Sequence, residues 1–165
     1  MINIQKQNIV DLWKSGKIVC VTTNGYIKKD GSSVMGRGNA LAMANAVPNL
    51  SKKLGEHLRK YGNIVRFIEN QIICFPVKPT FGKLENALDH IKGRYKQTDT
   101  IPGFWCKASL EIIKSSMQQL NNLIKDRKLT EVYLPIPGVS NGALTFKDVE
   151  PILELARDEI IFITL

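Results

Sequence analysis

Cysteine, histidine and long apolar runs are scarce in this sequence, and each scarcity excludes a class of protein. The 165 residues include three cysteines and two histidines. An odd cysteine count without CxxC spacing predicts neither a disulfide framework nor a zinc site. No apolar run approaches the ~18–20 residues that span a bilayer, and the first residues lack the blocks of a signal peptide. We therefore expect a cytoplasmic protein with no membrane segment, no metal and no cofactor.

Internal repeats and low-complexity linkers are also missing. The composition, 44% hydrophobic and 23% charged, is that of an ordinary globular protein. At this length the chain is predicted to form one domain over residues 1–165. The two histidines, His57 and His90, lie in polar stretches and are predicted to be surface residues rather than ligands or catalysts.

Positive charge is plentiful but unevenly distributed. The net charge is +8. Residues 1–62 contain ten Lys and Arg against three Asp and Glu, whereas residues 63–165 contain thirteen against twelve. A basic half suits an anionic partner such as a phosphate, a nucleotide or a nucleic acid. The same charge also suits a solvated surface that only keeps the protein soluble, so both interpretations stay open.

Strand and helix patterns alternate along the chain. Residues 18–23 are a continuous apolar and β-branched run, which predicts a buried central strand. Residues 109–128 carry apolar side chains at steps of three and four, which predicts a helix with one buried face. Residues 76–103 show little periodicity, so we expect mostly loop there, with a short helix near 85–91. The remaining predicted helices cover residues 39–44, 49–61 and a segment opened by Thr145, and the remaining strands cover 65–68, 71–75, 131–135 and 160–164. This alternation predicts an α/β fold with a largely parallel sheet.

Two glycine-rich segments, residues 34–40 and 137–144, are the strongest functional signal. In open α/β sheets, ligands bind beyond the carboxyl ends of the strands. Glycines there let backbone N–H groups approach an anion, and a following helix adds its positive end. Neither segment matches GxGxxG or GxxxxGK[ST], which excludes a Rossmann or P-loop interpretation. Two such loops at one sheet edge predict a grip on a diphosphate from both sides.

The order and spacing of these segments resemble those of a macro domain, an α/β/α module that binds ADP-ribose. The pattern is most similar to the branch with the terminal ADP-ribose protein glycohydrolase and the DNA-ADP-ribosyl hydrolases of bacterial antitoxins. The residues that carry it are Asp11-Leu12-Trp13, Val21-Thr22-Thr23-Asn24, residues 35–40, Phe75-Pro76-Val77-Lys78, Trp105, residues 135–144 and residues 161–165. The resemblance covers nearly the whole chain. It implies a three-layer α/β/α sandwich with a mixed, largely parallel sheet.

The resemblance also implies which residues bind the ligand. Asp11 would accept a hydrogen bond from the adenine amino group, and Leu12 would offer its backbone N–H to the same base. Asn24 would lie near the distal ribose. The first phosphate-facing loop would comprise Gly36, Arg37, Gly38, Asn39 and Ala40. The second would comprise Pro137, Gly138, Val139, Ser140, Asn141, Gly142, Ala143 and Leu144.

Catalysis is where the sequence departs from the pattern. In the hydrolases that it resembles, a lysine attacks the anomeric carbon, and Lys78 occupies the matching place. Those enzymes also use an acidic residue in the second phosphate loop, but Gly142 stands there and residues 138–147 contain no Asp or Glu. General acid–base help is therefore missing. This favours a binder, or a hydrolase that uses a water positioned by Asn24.

Three functions follow from these signals. The first is a module that binds ADP-ribose or a related nucleotide and reads or sequesters it. The second is an enzyme that removes ADP-ribose from a protein or nucleic acid, or the terminal phosphate from ADP-ribose-1''-phosphate. The third is a nucleic-acid-binding protein with a basic face near Trp13, Tyr26 and Tyr61, although no known nucleic-acid-binding motif is recognised.

Overall fold

The architecture is a mixed sheet between two layers of helices, as seen in a computed structural model that describes residues 2–164. The strands are β1 (Ile4–Lys6), β2 (Ile18–Thr23), β3 (Arg66–Glu69), β4 (Ile72–Pro76), β5 (Phe81–Gly82), β6 (Ile101–Pro102), β7 (Val132–Pro135) and β8 (Ile160–Thr164). The helices are α1 (Ile9–Lys14), α2 (Gly38–Ala46), α3 (Leu50–Tyr61), α4 (Leu110–Arg127) and α5 (Phe146–Leu153). Leu165, the end of the last predicted segment, lies outside the described residues.

The main sheet has the strand order β1-β8-β7-β2-β4-β3. All its neighbours pair in parallel except β3 and β4, which form an antiparallel hairpin. The predicted central strand β2 lies between β4 and β7, and Val19, Cys20 and Val21 are fully buried. A continuous apolar run is needed there because both faces of the strand are covered.

Helices cover both faces of this sheet. Val19 and Val21 of β2 pack with residues of α1, α2 and α3. Cys20, which points to the opposite face, packs with residues of α4 and α5. Successive side chains of a strand alternate between faces, so one short run supplies both cores. The predicted three-layer α/β/α sandwich with a largely parallel sheet is confirmed.

The apolar stripe of α4 is confirmed except at its first position. Ile113, Met117, Leu120 and Ile124 are fully buried, but Leu110 is 41% exposed. Leu110 is the first helical residue after the cap Ser109, whose hydroxyl accepts the N–H of Ile112. The burial predicted for it is wrong because the helix begins at the rim of the core.

The first strand and helix have no counterpart in the sequence analysis. β1 is three residues long and pairs with β8 at the edge of the sheet. α1 is six residues long, and the side chain of Asn8 caps it by accepting the N–H of Asp11. Elements this short show too few repeats for periodicity to reveal them.

The segment from 79 to 107, called the 79–107 segment below, leaves the sheet after β4 and returns before α4. Its strands β5 and β6 pair with each other, and Ala87, Ile101 and Cys106 form a small buried core. Short 3₁₀ turns occupy Leu84–Asn86, Asp89–Arg94 and Gly103–Trp105. The short helix expected near 85–91 is therefore replaced by two separate turns.

The surface position predicted for His57 is wrong, whereas His90 is exposed. His57 is 7% exposed on the buried face of α3, and its ring centroid lies 5.3 Å from that of Tyr61. Burial lowers its pKa below the ordinary histidine value. The sequence around His57 is mostly polar because only a narrow stripe of α3 faces the core. The burial of His57 could therefore not be recognised from its neighbours in the sequence.

The cysteines form no disulfide among the described residues. Cys20, Cys74 and Cys106 are buried and free. Between residues 2 and 164, no group of three or more His, Cys, Asp or Glu side chains is placed to hold a metal ion. Over the same range, no helix has the length and apolar character needed to cross a membrane.

Candidate functional site

A cavity of about 360 Å³ lies at the carboxyl edge of the main sheet. Its floor is formed by the ends of β2, β4, β7 and β8. Residues 35–40 form one side and residues 138–142 the other. We call it the first cavity. Its position is the one where open α/β sheets bind ligands.

The two glycine loops approach each other across this cavity. Gly38 has a φ of +65°, and a Cβ on it would lie 2.9 Å from Nδ2 of Asn141 in the other loop. Gly142 is equally constrained, since a Cβ there would lie 2.5 Å from the carbonyl oxygen of Gly138. Glycine is thus required by a left-handed backbone at one position and by a close approach at the other.

The first loop ends in the amino terminus of α2, which begins at Gly38. The first N–H groups of a helix have no intrahelical acceptors, and the preceding residue, Arg37, provides no side-chain cap. These donors and the positive end of the helix suit an anion. The guanidinium of Arg37, which also lines the cavity, adds a full positive charge.

Most of the predicted loop residues line the first cavity. They are Gly36, Arg37, Gly38, Asn39, Ala40, Gly138, Val139, Ser140, Asn141 and Gly142. Pro137, Ala143 and Leu144 are not part of the lining. The N–H groups of Ala143 and Leu144 donate to the carbonyl oxygens of Ser140 and Gly138. These bonds close the loop on itself, and the ligand contact of the three residues stays a prediction.

Asp11 and Leu12 lie in α1, outside the lining of the first cavity. The N–H of Leu12 donates to the carbonyl oxygen of Asn8 at 3.1 Å. The helix thus already uses this N–H, and its contact with an adenine stays a prediction. The side chain of Asp11 is exposed, and its contact with a base stays a prediction.

Asn24 lines the first cavity directly after β2. Its Nδ2 donates to the carbonyl oxygen of Val34 at 2.9 Å, and its Oδ1 accepts the N–H of Tyr26 at 2.9 Å. Both polar atoms thus hold the ends of the intervening loop together. The side chain shapes the wall of the cavity, and its positioning of a ribose or a water stays a prediction.

Lys78 lies at the end of β4, and backbone contacts on both sides fix its position. Its N–H and that of Val77 donate to the carbonyl oxygen of Thr23, and its own carbonyl oxygen accepts Nδ2 of Asn63 at 3.0 Å. Its Nζ donates at 3.4 Å to the carbonyl oxygens of Phe104 and Asn141. Lys78 therefore bridges the second glycine loop and the 79–107 segment.

The ammonium of Lys78 is in an unfavourable place for a charge. Burial lowers its pKa below the ordinary lysine value, and the nearby guanidinium of Arg37 lowers it further, while Cys106 opposes the shift. Its two hydrogen-bond acceptors are neutral carbonyl groups. A lysine with a lowered pKa holds a larger fraction of neutral amine, which is the form that acts as a nucleophile.

A second cavity of about 390 Å³ adjoins the first. The two share Gly36, Arg37, Lys78, Phe104, Ser140 and Asn141. The second also has Val34 and three side chains from the 79–107 segment, Leu88, His90 and Trp105. Among the described residues that line either cavity there is no Asp or Glu.

Aromatic rings run continuously from the surface into the second cavity. Phe81, Tyr26, Phe104, Trp105 and His90 follow one another with centroid separations of 5.6, 5.1, 5.0 and 6.0 Å. Phe81 at the outer end is 54% exposed. The sequence analysis did not place these rings near Lys78. The only signal was the adjacent pair Phe104-Trp105 close to a predicted helix start.

Comparison with known proteins gives likeness in structure alone. No protein-family model and no curated protein sequence matches the chain. The macrodomain of Mycobacterium tuberculosis DarG superposes with a TM-score of 0.66 and 18% identity, over 100% of this chain and 98% of that one. The macrodomain of Thermus aquaticus DarG gives 0.61 and 16%, with the same coverage. Thermosipho africanus DarTG in complex with ADP-ribose gives 0.58 and 15%, over 90% of this chain and 38% of that one.

These superpositions identify the fold. The chain is folded as a macrodomain, and the likeness extends over its whole length to macrodomains of DarG. The resemblance drawn from the sequence is thereby confirmed. At these identities the likeness concerns the fold, so the ligand and the chemistry have to be argued from the cavities.

Proposed function

We propose that the protein binds ADP-ribose, or a closely related ADP-ribosyl nucleotide, in the first cavity. The observation that carries this proposal is the convergence of two glycine loops at one edge of the sheet, with Gly38 close to Asn141. Together they direct backbone donors and the amino end of α2 at one volume. A diphosphate is the ligand group that such an arrangement suits best.

Charge supports the same ligand. Arg37 and Lys78 line the first cavity, and no Asp or Glu appears among its described lining residues. The two negative charges of a diphosphate would therefore find two positive ones and no opposing carboxylate. The solved structure of Thermosipho africanus DarTG, 38% of which superposes on this chain, is a complex with ADP-ribose.

Calorimetry with ADP-ribose tests the proposal. We expect saturable binding to the wild-type protein, and weaker binding to Arg37→Ala because one positive charge is lost. Lys29→Ala is the matched control, since Lys29 is exposed and outside the cavity lining. Absence of heat at about millimolar ligand, where even weak specific sites fill, would overturn the proposal.

Hydrolysis of an ADP-ribosyl conjugate is a second candidate, and the environment of Lys78 favours it. Its amine is partly buried between the two cavities. A ribose beyond the diphosphate would bring its anomeric carbon towards this amine. The neutral amine could then form a bond to that carbon while the bond to the conjugated group breaks.

Incubation with mono-ADP-ribosylated protein and nucleic acid tests the hydrolase candidate and identifies the class of conjugate. Release from the wild type and its loss in Lys78→Ala would support it. Release that persists in Lys78→Ala would exclude the lysine as nucleophile. ADP-ribose-1''-phosphate, tested in parallel for phosphate release, distinguishes the phosphatase alternative.

A plain nucleic-acid-binding role depends on the net charge and on exposed aromatic residues. Gel shifts with unmodified oligonucleotides at increasing salt test it, since phosphate-driven binding must weaken as salt rises. Oligonucleotides that bind without competing with ADP-ribose would indicate a separate surface.

A reading or sequestering role fits the binding proposal and requires no turnover.

A further inference from the structure

A hydrolase needs a proton donor for the departing group, and the two cavities offer few candidates. Their described titratable lining consists of Arg37, Lys78 and His90. Arginine does not give up its proton in proteins. Lys78 has to be neutral in order to attack. An imidazole, by contrast, ordinarily changes charge near neutral pH and is the most frequent general acid in enzymes.

His90 lines the cavity that adjoins the proposed ligand site. It belongs to the 3₁₀ turn Asp89–Arg94 and shares the second cavity with Lys78. The glycine loops flank the first cavity, and a group attached to the distal ribose would extend into the adjoining second cavity. The ring of Trp105 meets the imidazole edge-on at 6.0 Å and forms the adjacent wall.

We propose that His90 is the proton donor to the leaving group in ADP-ribosyl hydrolysis, in place of the carboxylate that both cavities lack. The inference depends on the hydrolase candidate above. In the first step the Lys78 amine bonds to the anomeric carbon, the bond from that carbon to the departing oxygen breaks, and the imidazolium protonates that oxygen. In the second step water attacks the anomeric carbon, neutral His90 takes the water proton, and Lys78 departs as the amine.

Several charged side chains lie around His90. Arg37 and Lys78 face it across the second cavity. Arg94 lies over the Trp105 ring at 5.8 Å, on the turn that carries His90. Asp89 is the one neighbouring carboxylate on this turn, and its Oδ1 lies 3.7 Å from the amines of both Lys92 and Lys107. Basic side chains thus outnumber the carboxylate among these neighbours.

Two conjugates of ADP-ribose with different leaving groups test the proposal. An ADP-ribosylated serine peptide releases a poor leaving group that needs a proton, whereas 4-nitrophenyl ADP-ribose releases a phenolate that leaves without one. We expect His90→Ala to slow the serine conjugate by about 10²–10⁴-fold, the usual contribution of general acid catalysis. Nitrophenolate should be released in the first, pre-steady-state step at nearly the wild-type rate, because that step needs no proton. Lys92→Ala, on the same turn, is the control for local disturbance.

Equal slowing of the first release step with both conjugates, or an unchanged rate with the serine conjugate, would overturn the role of His90. A wild type that binds ADP-ribose but releases neither group would overturn the hydrolase candidate, and this inference with it, while leaving the binding proposal intact.

Discussion

The two cavities adjoin each other but are lined by different parts of the chain. The first is enclosed by glycine loops and strand ends, so it offers mainly backbone donors and a helix terminus. The second is lined by Leu88, His90, Phe104 and Trp105 from the 79–107 segment, so it offers rings and an imidazole. Lys78 and Arg37 line both.

Under our proposals, this difference separates recognition from chemistry. Backbone donors recognise a diphosphate whatever is attached to it. The side chains of the 79–107 segment would then decide which group may be attached and whether its bond is cleaved. The 79–107 segment forms its own small core, so its side chains are held in place without altering the first cavity.

Replacing the lysine at the border should have the largest effect. Lys78→Ala should reduce release of ADP-ribose by more than about 10³-fold, because the nucleophile is lost, while affinity for ADP-ribose falls only a few-fold. Single-turnover assays and calorimetry measure the two separately. Lys83→Ala, which replaces an exposed lysine of the 79–107 segment, is the control. Parallel losses in rate and affinity would show that the amine serves binding alone.

A methyl group in the second glycine loop should weaken recognition of ADP-ribose. In Gly142→Ala the added Cβ would collide with the carbonyl oxygen of Gly138 and lie 2.7 Å from Cβ of Ala108. We expect affinity for ADP-ribose to fall by about 10–100-fold, because the collision would displace backbone donors of this loop. Each factor of ten corresponds to about 1.4 kcal/mol of binding free energy. Gly93→Ala, where a Cβ meets open space, should bind normally. Unchanged affinity in Gly142→Ala would mean that this loop does not contact the ligand.

Truncating the ring of the second cavity should give the converse pattern. Trp105→Leu should leave affinity for ADP-ribose unchanged and weaken binding of an aromatic conjugate by about 10-fold, consistent with the 1–3 kcal/mol attributed to one stacked ring. Inhibition constants of the two ligands against labelled ADP-ribose provide the measurement. An equal effect on both ligands would show that the cavities do not act separately.

The smallest effect concerns His57, which is remote from both cavities. Burial lowers its pKa in the folded state below the unfolded value of 6.5. The unfolded chain therefore binds more protons, and the free energy of unfolding should decrease as pH falls from 6.5 through the folded pKa. Urea titrations at several pH values should show less acid destabilisation in His57→Leu than in the wild type. An identical pH dependence would mean that other groups account for it.

The first cavity could be predicted from the sequence far better than the second. The strand at 18–23 and the stripe on α4 repeat often enough to be recognised, and the two glycine loops follow predicted strands directly. The second cavity depends on pairing of Phe81–Gly82 with Ile101–Pro102 across an intervening stretch without periodicity. No local pattern shows that His90 and Trp105 return to Lys78, so His90 resembles any exposed histidine in the sequence.

The residues that recognise the base could not be located from the sequence for a related reason. Asp11 and Leu12 were assigned by position along the chain, yet they lie inside α1, a helix too short to predict. Its hydrogen bonds use the N–H that the assignment needed. A role that depends on one backbone group requires the exact start of a helix, which spacing alone does not give.

Titration of ¹⁵N-labelled protein with ADP-ribose, followed by amide chemical shifts, tests the central claim most directly. We predict that amides of residues 36–40 and of residues 138–142 shift together along one saturation curve, while those of α5 stay still. Shifts confined to one loop, or concentrated outside both, would contradict a diphosphate held between them.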